Sequence, residues 1–391
     1  MHEESNGIIF SDMNGSLPIY RADFRDLNAD AEFPVAAPKP DSLRNGMLVR
    51  MPNHLGDAVM ALPALLALKR SLPEECGLYV ITPGSLRQLY AVLDCVNGIF
   101  SFGRTHSWWG WKQLRRLRAL RMGACVLFNN SLRDVISLRL ARIPQLYGAA
   151  KRGRSILLTR SFDFPRRFPR RLAEAHLAKR YMAMARALGG RAETLEMPRF
   201  DLSRLLVSPT GLLCALARHP LHLVLAAGAA YGAAKRWPER NFNIVAKYWL
   251  RHGGVVSVVG SAAEREVGDL VLSDLPTGRC FNLCGETTLN HLMVLLKGAA
   301  LCVANDSGVM HLAAALGAPG VAVFGPTDPA ATAPISDKWL LLNKQLPCAP
   351  CFRRECPDNR CIQAITPAMV LRAMRRQCRD FNVRPEKRRR F

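Results

Sequence analysis

Residues 301–329, LCVANDSGVMHLAAALGAPGVAVFGPTDP, read as strand, tight turn, helix, strand and loop. The apolar run Leu301 to Ala304 suits a short buried parallel strand, and Asn305, Asp306, Ser307 and Gly308 break it before a helical pattern begins. A polar, glycine-containing turn is thereby set at a strand's carboxyl end, which is where open α/β sheets bind ligands. The first N–H groups of the following helix, with about half a positive charge from its dipole, suit a phosphate. His311 comes one helical turn after Ser307. The same spacing is met equally by Asp306 or Ser307 acting only as a helix cap.

Working outward, the preceding residues repeat this alternation. Leu221 to Ala226 reads as a strand, Ala227 to Trp237 as a Gly- and Ala-rich loop, Glu239 to Arg251 as a helix, Val255 to Val259 as a strand and Ala262 to Leu275 as a helix. An earlier series runs from a strand at Met47 to Met51 through a turn to a helix at Ala58 to Arg70, which Pro63 should kink. Strands follow at Gly77 to Thr82, Gly98 to Phe102, Ala124 to Phe128 and Gln145 to Ala149, with helices between them. Two such series predict an α/β chain of two Rossmann-like domains with parallel sheets facing a central cleft. The expected divisions are a loosely ordered extension at 1–44, a first domain at 45–200, a second at 201–365, and a C-terminal helix with a basic tail at 366–391.

The formal charge of +23 across 391 residues calls for an anionic partner: nucleic acid, an acidic membrane surface or a phosphorylated substrate. No recognisable nucleic-acid motif accompanies the charge, so nucleic acid is not expected. No apolar run approaches the ~20 residues of a transmembrane helix, and the first 40 residues lack signal-peptide character, which predicts a cytoplasmic protein. The twelve Cys are scattered, several in apolar segments, so a disulfide framework is not expected.

The side chains with chemical potential fall at the loops. Asp57, in the turn Asn53-His54-Leu55-Gly56-Asp57 between the first strand and helix, is either a general base or the cap of the helix at Ala58. In the loop Gly228 to Pro238, small residues let backbone approach a ligand, and Lys235 and Arg236 add charge; the alternative is that Lys235 is a plain surface cation. The loop is not a P-loop, and the Asp57 turn is not a dinucleotide fingerprint. Trp108, Trp109 and Trp111, followed by Arg115, Arg116, Arg118 and Arg121 among leucines, form an amphipathic helix for an anionic bilayer, or a surface helix whose leucines pack on the sheet. Arg166, Arg167, Arg170 and Arg171 form a second basic cluster. Cys348, Cys351, Cys356 and Cys361, spaced C-x2-C-x4-C-x4-C, are either metal ligands or reduced thiols in a stiff loop, and the spacing matches no defined metal site. The tail, with five basic residues between Arg384 and Arg390, adds electrostatic adhesion.

The segments HLGDAVMALPALLALK (54–69), AGAAYGAAKRWP (227–238), LCGETTLNHL (283–292) and ANDSGVMHLAAALGAPGVAVFGPTDP (304–329) together resemble the ADP-heptose:lipopolysaccharide heptosyltransferases of glycosyltransferase family 9, over roughly residues 46 to 380. The resemblance implies a GT-B fold and inverting transfer from ADP-heptose to the lipopolysaccharide inner core, with no required cofactor and no essential metal. It assigns Asp57 as the base on the acceptor hydroxyl and Lys235 to the donor phosphates. Asp306, Ser307, Gly308 and His311 would bind diphosphate and sugar, and Glu264 and Thr287 would meet the nucleotide. Ala230 and Tyr231 replace a polar pair found in some members. The implied acceptor is a phosphorylated lipid at the cytoplasmic face of the inner membrane. That gives Trp108, Trp109, Trp111, Arg115, Arg166 and Arg167 a role as acceptor or peripheral membrane contacts. Closure of the two domains would join base and donor, with the interdomain linker and the helix at about Pro367 to Phe381 as hinge elements.

Overall fold

The computed structural model describes residues 19–22, 24, 32–102, 108–151, 153–164, 176–205, 211–381 and 383. The chain divides into two compact units, one holding residues 24–167 and 174–206, the other holding 1–23, 168–173 and 207–391.

Strand β1 (Ile19–Tyr20) belongs to the second unit and is taken up below. The sheet of the first unit contains β2 (Met47–Arg50), β3 (Leu78–Pro83), β4 (Gly98–Phe102), β5 (Ala124–Leu127), β6 (Gln145–Ala149) and β7 (Arg160–Phe162). All are parallel, in the order β4-β3-β2-β5-β6-β7. The central strands β2 and β5 are buried throughout, as strands in a sheet covered on both faces are, although β2 ends in an arginine. The expected kinked helix is two helices, Leu55–Met60 and Leu62–Ser71, broken at Ala61 with Pro63 in the first turn of the second. Proline has no N–H to give the preceding turn, so the helix restarts instead of continuing.

The second unit carries β8 (His222–Ala226), β9 (Val255–Val258), β10 (Cys280–Asn282), β11 (Leu301–Asn305), β12 (Gly320–Phe324) and β13 (Trp339–Asn343). Their order is β1-β13-β12-β11-β8-β9-β10, parallel apart from β1. Counted from the first strand of each parallel series, both sheets follow the doubly wound order 3-2-1-4-5-6. The direction of winding reverses between β2 and β5 in one and between β8 and β11 in the other. Helix Pro367–Asp380 buries Met369, Val370, Ala373 and Met374 in the core of the second sheet. Its Gln377 amide donates to the carbonyls of Gly320 and Lys338 at 2.7 and 2.8 Å.

Part of the expected loose extension is ordered. Ile19 and Tyr20 pair antiparallel with Leu342 and Leu341. Arg21 donates to the Asp380 carboxylate at 2.6 Å. In the first unit Phe33 stands edge-on to Phe162 and Phe164, about 5 Å between ring centres. Residues with so little periodicity are ordered by the surfaces they cover.

Candidate functional site

The winding reversal between β8 and β11 leaves a crevice beyond the carboxyl ends of these strands, and both loops predicted to hold a phosphate open there. Asn305, the last residue of β11, is fully buried and ties them together. Its amide nitrogen donates to the Ala227 carbonyl at 2.7 Å, and its amide oxygen accepts from the Trp237 N–H at 3.1 Å. The loop from Ala227 to Trp237 is thus clamped at both ends by one side chain.

Lys235 is no surface cation: it is only 9% exposed, and its Nζ donates to Asp306 Oδ2 at 2.6 Å. The same oxygen accepts from Thr327 Oγ1 at 2.7 Å, so the loop after β12 is joined to the group. Nor does the Asp306 turn serve only as a cap. Helix Gly308–Ala315 begins with Ser307 in the cap position, yet no side chain makes a cap hydrogen bond, and Ser307 Oγ is buried with no hydrogen-bond partner among the described residues. The N–H groups of its first turn therefore have no side-chain acceptor, and the dipole's positive end is left uncompensated.

His311, one turn further on, is buried, and its Nδ1 has no partner among the described residues. Burial pushes its pKa down to about 4, with Lys235 acting in the same direction and Asp306 opposing. It is a neutral imidazole near pH 7.

Glu264 reaches this crevice from the turn after β9. It closes a capping box, Oε2 accepting from the Ser261 N–H at 2.7 Å and from Ser261 Oγ at 2.9 Å. A Cβ on Gly228 would lie 2.0 Å from Glu264 Oε1, so the loop after β8 passes close against this carboxylate. Ala230 and Tyr231 are exposed on that loop. Thr287 is half-buried just before Thr288, whose hydroxyl caps the next helix by accepting from His291 N–H at 3.3 Å.

In the first unit Asp57 stands at the equivalent switch point, beyond the end of β2. His54 occupies the cap position of helix Leu55–Met60, so Asp57 lies inside the first turn and is not its cap. It is half-buried, and its negative charge adds to burial in raising the Tyr181 hydroxyl well above its ordinary value. Beneath the turn lies a group that sequence reading did not find. Arg50, fully buried at the end of β2, donates from Nε to Asp134 Oδ2 at 2.7 Å and from Nη2 to Asn53 Oδ1 at 2.6 Å. It also donates to the Met51 carbonyl, and Asn129 donates to the same Asp134 oxygen. Burial lowers the Arg50 pKa and Asp134 opposes this, which leaves a charged pair holding the backbone of the Asn53 to Asp57 turn. The sequence signal was an arginine ending an otherwise apolar strand.

The tryptophan run is divided by the fold. Trp109 is 7% exposed and packs on Phe102 with ring centres 5.7 Å apart, inside the core that also holds Leu117. It is therefore unavailable as a surface contact. Trp108 and Trp111 are 61% and 68% exposed. Arg115 lines a groove of about 740 Å³ with Trp111, Arg118, Arg121 and Arg142. Arg166, Arg167 and the basic tail lie outside the described residues. Among the described residues no three His, Cys, Asp or Glu side chains stand together as a metal site.

Residues 111–362, more than half the chain, match glycosyltransferase family 9 (heptosyltransferase). The lipopolysaccharide heptosyltransferases 2 of Salmonella typhimurium and Escherichia coli are each 30% identical over 75% of this chain and 86% of their own lengths. The solved structure of the Escherichia coli ADP-heptose lipopolysaccharide heptosyltransferase II superposes with a TM-score of 0.71 at 26% identity, covering 86% of this chain and 99% of that one. A family 9 glycosyltransferase from Veillonella parvula, 18% identical, shares the fold with the same TM-score over 88% of this chain and all of that one. The fold is GT-B, and the chain belongs to glycosyltransferase family 9.

Proposed function

We propose that this glycosyltransferase moves a heptose from ADP-heptose, with inversion, onto the inner core of lipopolysaccharide. The observation that carries this reading is the group Lys235, Asp306 and Thr327 beside an uncapped helix start at the switch point of the second sheet. It has the form of a diphosphate cradle. Lys235 and the first-turn N–H groups of helix Gly308–Ala315 would take the charge that develops on the ADP oxygen as the bond to the anomeric carbon breaks. His311, neutral and buried, would hydrogen-bond the sugar or phosphate. Glu264 and Thr287 would meet the nucleoside. The acceptor hydroxyl attacks the anomeric carbon from the face opposite ADP, its proton passes to the Asp57 carboxylate, and ADP leaves with the bonding electrons. The names of the related enzymes support heptose as the sugar and lipopolysaccharide as the acceptor.

A lipid acceptor also gives the exposed basic groove on the first unit a purpose. Trp111 and Arg115 line it and Trp108 is exposed nearby in sequence, so indoles would sit among headgroups and guanidiniums would meet phosphates. Among the described residues no helix is long and apolar enough to cross a membrane. This reading has the protein lie on the cytoplasmic face of the inner membrane, where the proposed lipid acceptor would be met.

The test is incubation of purified protein with ADP-heptose and a Kdo2-lipid A acceptor. The expected result is stoichiometric ADP release and an acceptor heavier by one heptose. Release only with a different nucleotide sugar or acceptor would move the enzyme to another substrate within family 9. No release with any of them, together with tight salt-sensitive DNA binding, would overturn the reading.

A further inference from the structure

The cysteine-rich loop that follows β13 lies against the donor-site loop. The N–H groups of Cys351 and Phe352 both donate to the Pro326 carbonyl, at 3.0 and 2.9 Å, one residue from the Thr327 that binds Asp306. The Ala234 N–H, next to Lys235, donates to the Arg354 carbonyl at 3.0 Å. A Cβ on Gly232 would lie 2.3 Å from that carbonyl, so the two loops touch backbone to backbone. Phe352 is held at φ 55°, a conformation unfavourable for a bulky side chain. Its carbonyl there accepts from the Tyr231 hydroxyl at 2.7 Å.

The ring of Tyr231 is the meeting point. Lys235 Nζ lies 4.6 Å from its centre and the Arg354 guanidinium carbon 5.2 Å from it. The two cations are therefore no more than about 10 Å apart, within one screening length at ordinary salt. They differ in one respect. Lys235 is neutralised by Asp306 at 2.6 Å. Arg354 is exposed, and no carboxylate pairs with it among the described residues. A nucleoside diphosphate sugar carries two negative charges. The Lys235–Asp306 pair, close to zero in net charge, does not balance them.

We propose that Arg354, carried by the cysteine-rich loop and set in place by Tyr231, is a second donor-binding cation that meets the diphosphate. This rests on the reading of the second switch point as a nucleotide-sugar site. Tyr231 then replaces a direct polar contact with a ring that positions two cations. The cysteine-rich loop becomes a wall of the donor site.

The test compares Arg354→Ala, Arg354→Lys and, as a control on the adjacent exposed side chain, Arg353→Ala. Calorimetric affinities for ADP, AMP and adenosine are measured together with KM and kcat for ADP-heptose. The contact that Ala234 makes is to the backbone of Arg354, so truncating the side chain leaves it in place. Arg354→Ala should raise KM for ADP-heptose and weaken ADP binding by about tenfold, as for loss of a hydrogen bond to a charged group. Adenosine binding and kcat should change little, Arg354→Lys should recover a good part of the loss, and Arg353→Ala should behave as wild type. Unchanged ADP affinity in Arg354→Ala, or an equal loss for adenosine, overturns the proposal. Wild-type protein that binds ADP without transferring heptose would sink the assigned sugar, and the Arg354→Ala affinity would still decide this inference. Wild-type protein that binds no ADP would sink both.

Discussion

The two switch points of this molecule share a topology and differ in what they do with charge. At the first, the ion pair Arg50–Asp134 is buried beneath the turn, and the turn presents a carboxylate, Asp57. At the second, the ion pair Lys235–Asp306 is itself the lining, 11% and 5% exposed by side chain, with Arg354 on an adjoining loop. One pair is fully enclosed, and the other is the pair the proposed function uses for binding. On the proposed reading, the same strand order would deliver a proton acceptor in one sheet and an anion cradle in the other, and the difference would come from a few loop residues. A displacement that leaves a proton to remove and a diphosphate to stabilise needs both.

The sharpest way to break the comparison is to exchange the chemistry at each turn. Asp57→Asn keeps shape and removes the base, so turnover should fall by about 10²–10⁴-fold while calorimetric ADP affinity stays at the wild-type value. Lys235→Ala should do the reverse, with ADP affinity lost first. Near-full activity in Asp57→Asn would show that the first switch point does not supply the base.

Scaffold and lining should also separate in stability. Removing one partner of a buried pair leaves the other charge uncompensated, at about 3–5 kcal/mol. Asp134→Ala should lower the unfolding free energy from urea titration by that order, because Arg50 is fully buried. Asp306→Ala should cost less, since the Lys235 side chain keeps 11% exposure where that of Arg50 has none. Equal losses would mean that both pairs are scaffold.

Both turns were legible in the sequence because a short apolar run ended abruptly in polar residues with glycine, a local signal that needs no tertiary information. What lies under and beside them was not. Arg50 and Asp134 are 84 positions apart, and Asp306 and Thr327 are 21 apart with a helix and a strand between them. Only the order of strands brings each pair together. The helical spacing of Leu114, Leu117 and Leu120, which lie in or against the core, left open whether they face a bilayer or the sheet, and it gave no means of telling Trp109, which turns into the core, from Trp108 and Trp111, which do not. Strand β1 is two residues long and pairs with residues more than 300 positions away, so it left no pattern. The four cysteines drew attention to thiols, while the side chain of that loop that lies over the Tyr231 ring is an arginine.

The smallest expected effect follows from His311. Its folded pKa of about 4 lies below its ordinary value near 6.5, so between these pH values the unfolded chain binds a proton that the folded protein does not. Stability should therefore rise with pH across that window, and it is lost as pH falls from about 6.5 toward 4. His222, also pushed down to about 4 by burial and held at 2.7 Å from Ser257 Oγ, acts in the same direction. Each contributes on the order of 1–3 kcal/mol at the acid end. Urea midpoints at pH 7, 5.5 and 4.5 should fall in that order, and His311→Gln, which cannot titrate, should flatten the slope. An unchanged slope would mean that the imidazole titrates at the same pH in the folded and the unfolded chain, and burial would then not be what sets its charge.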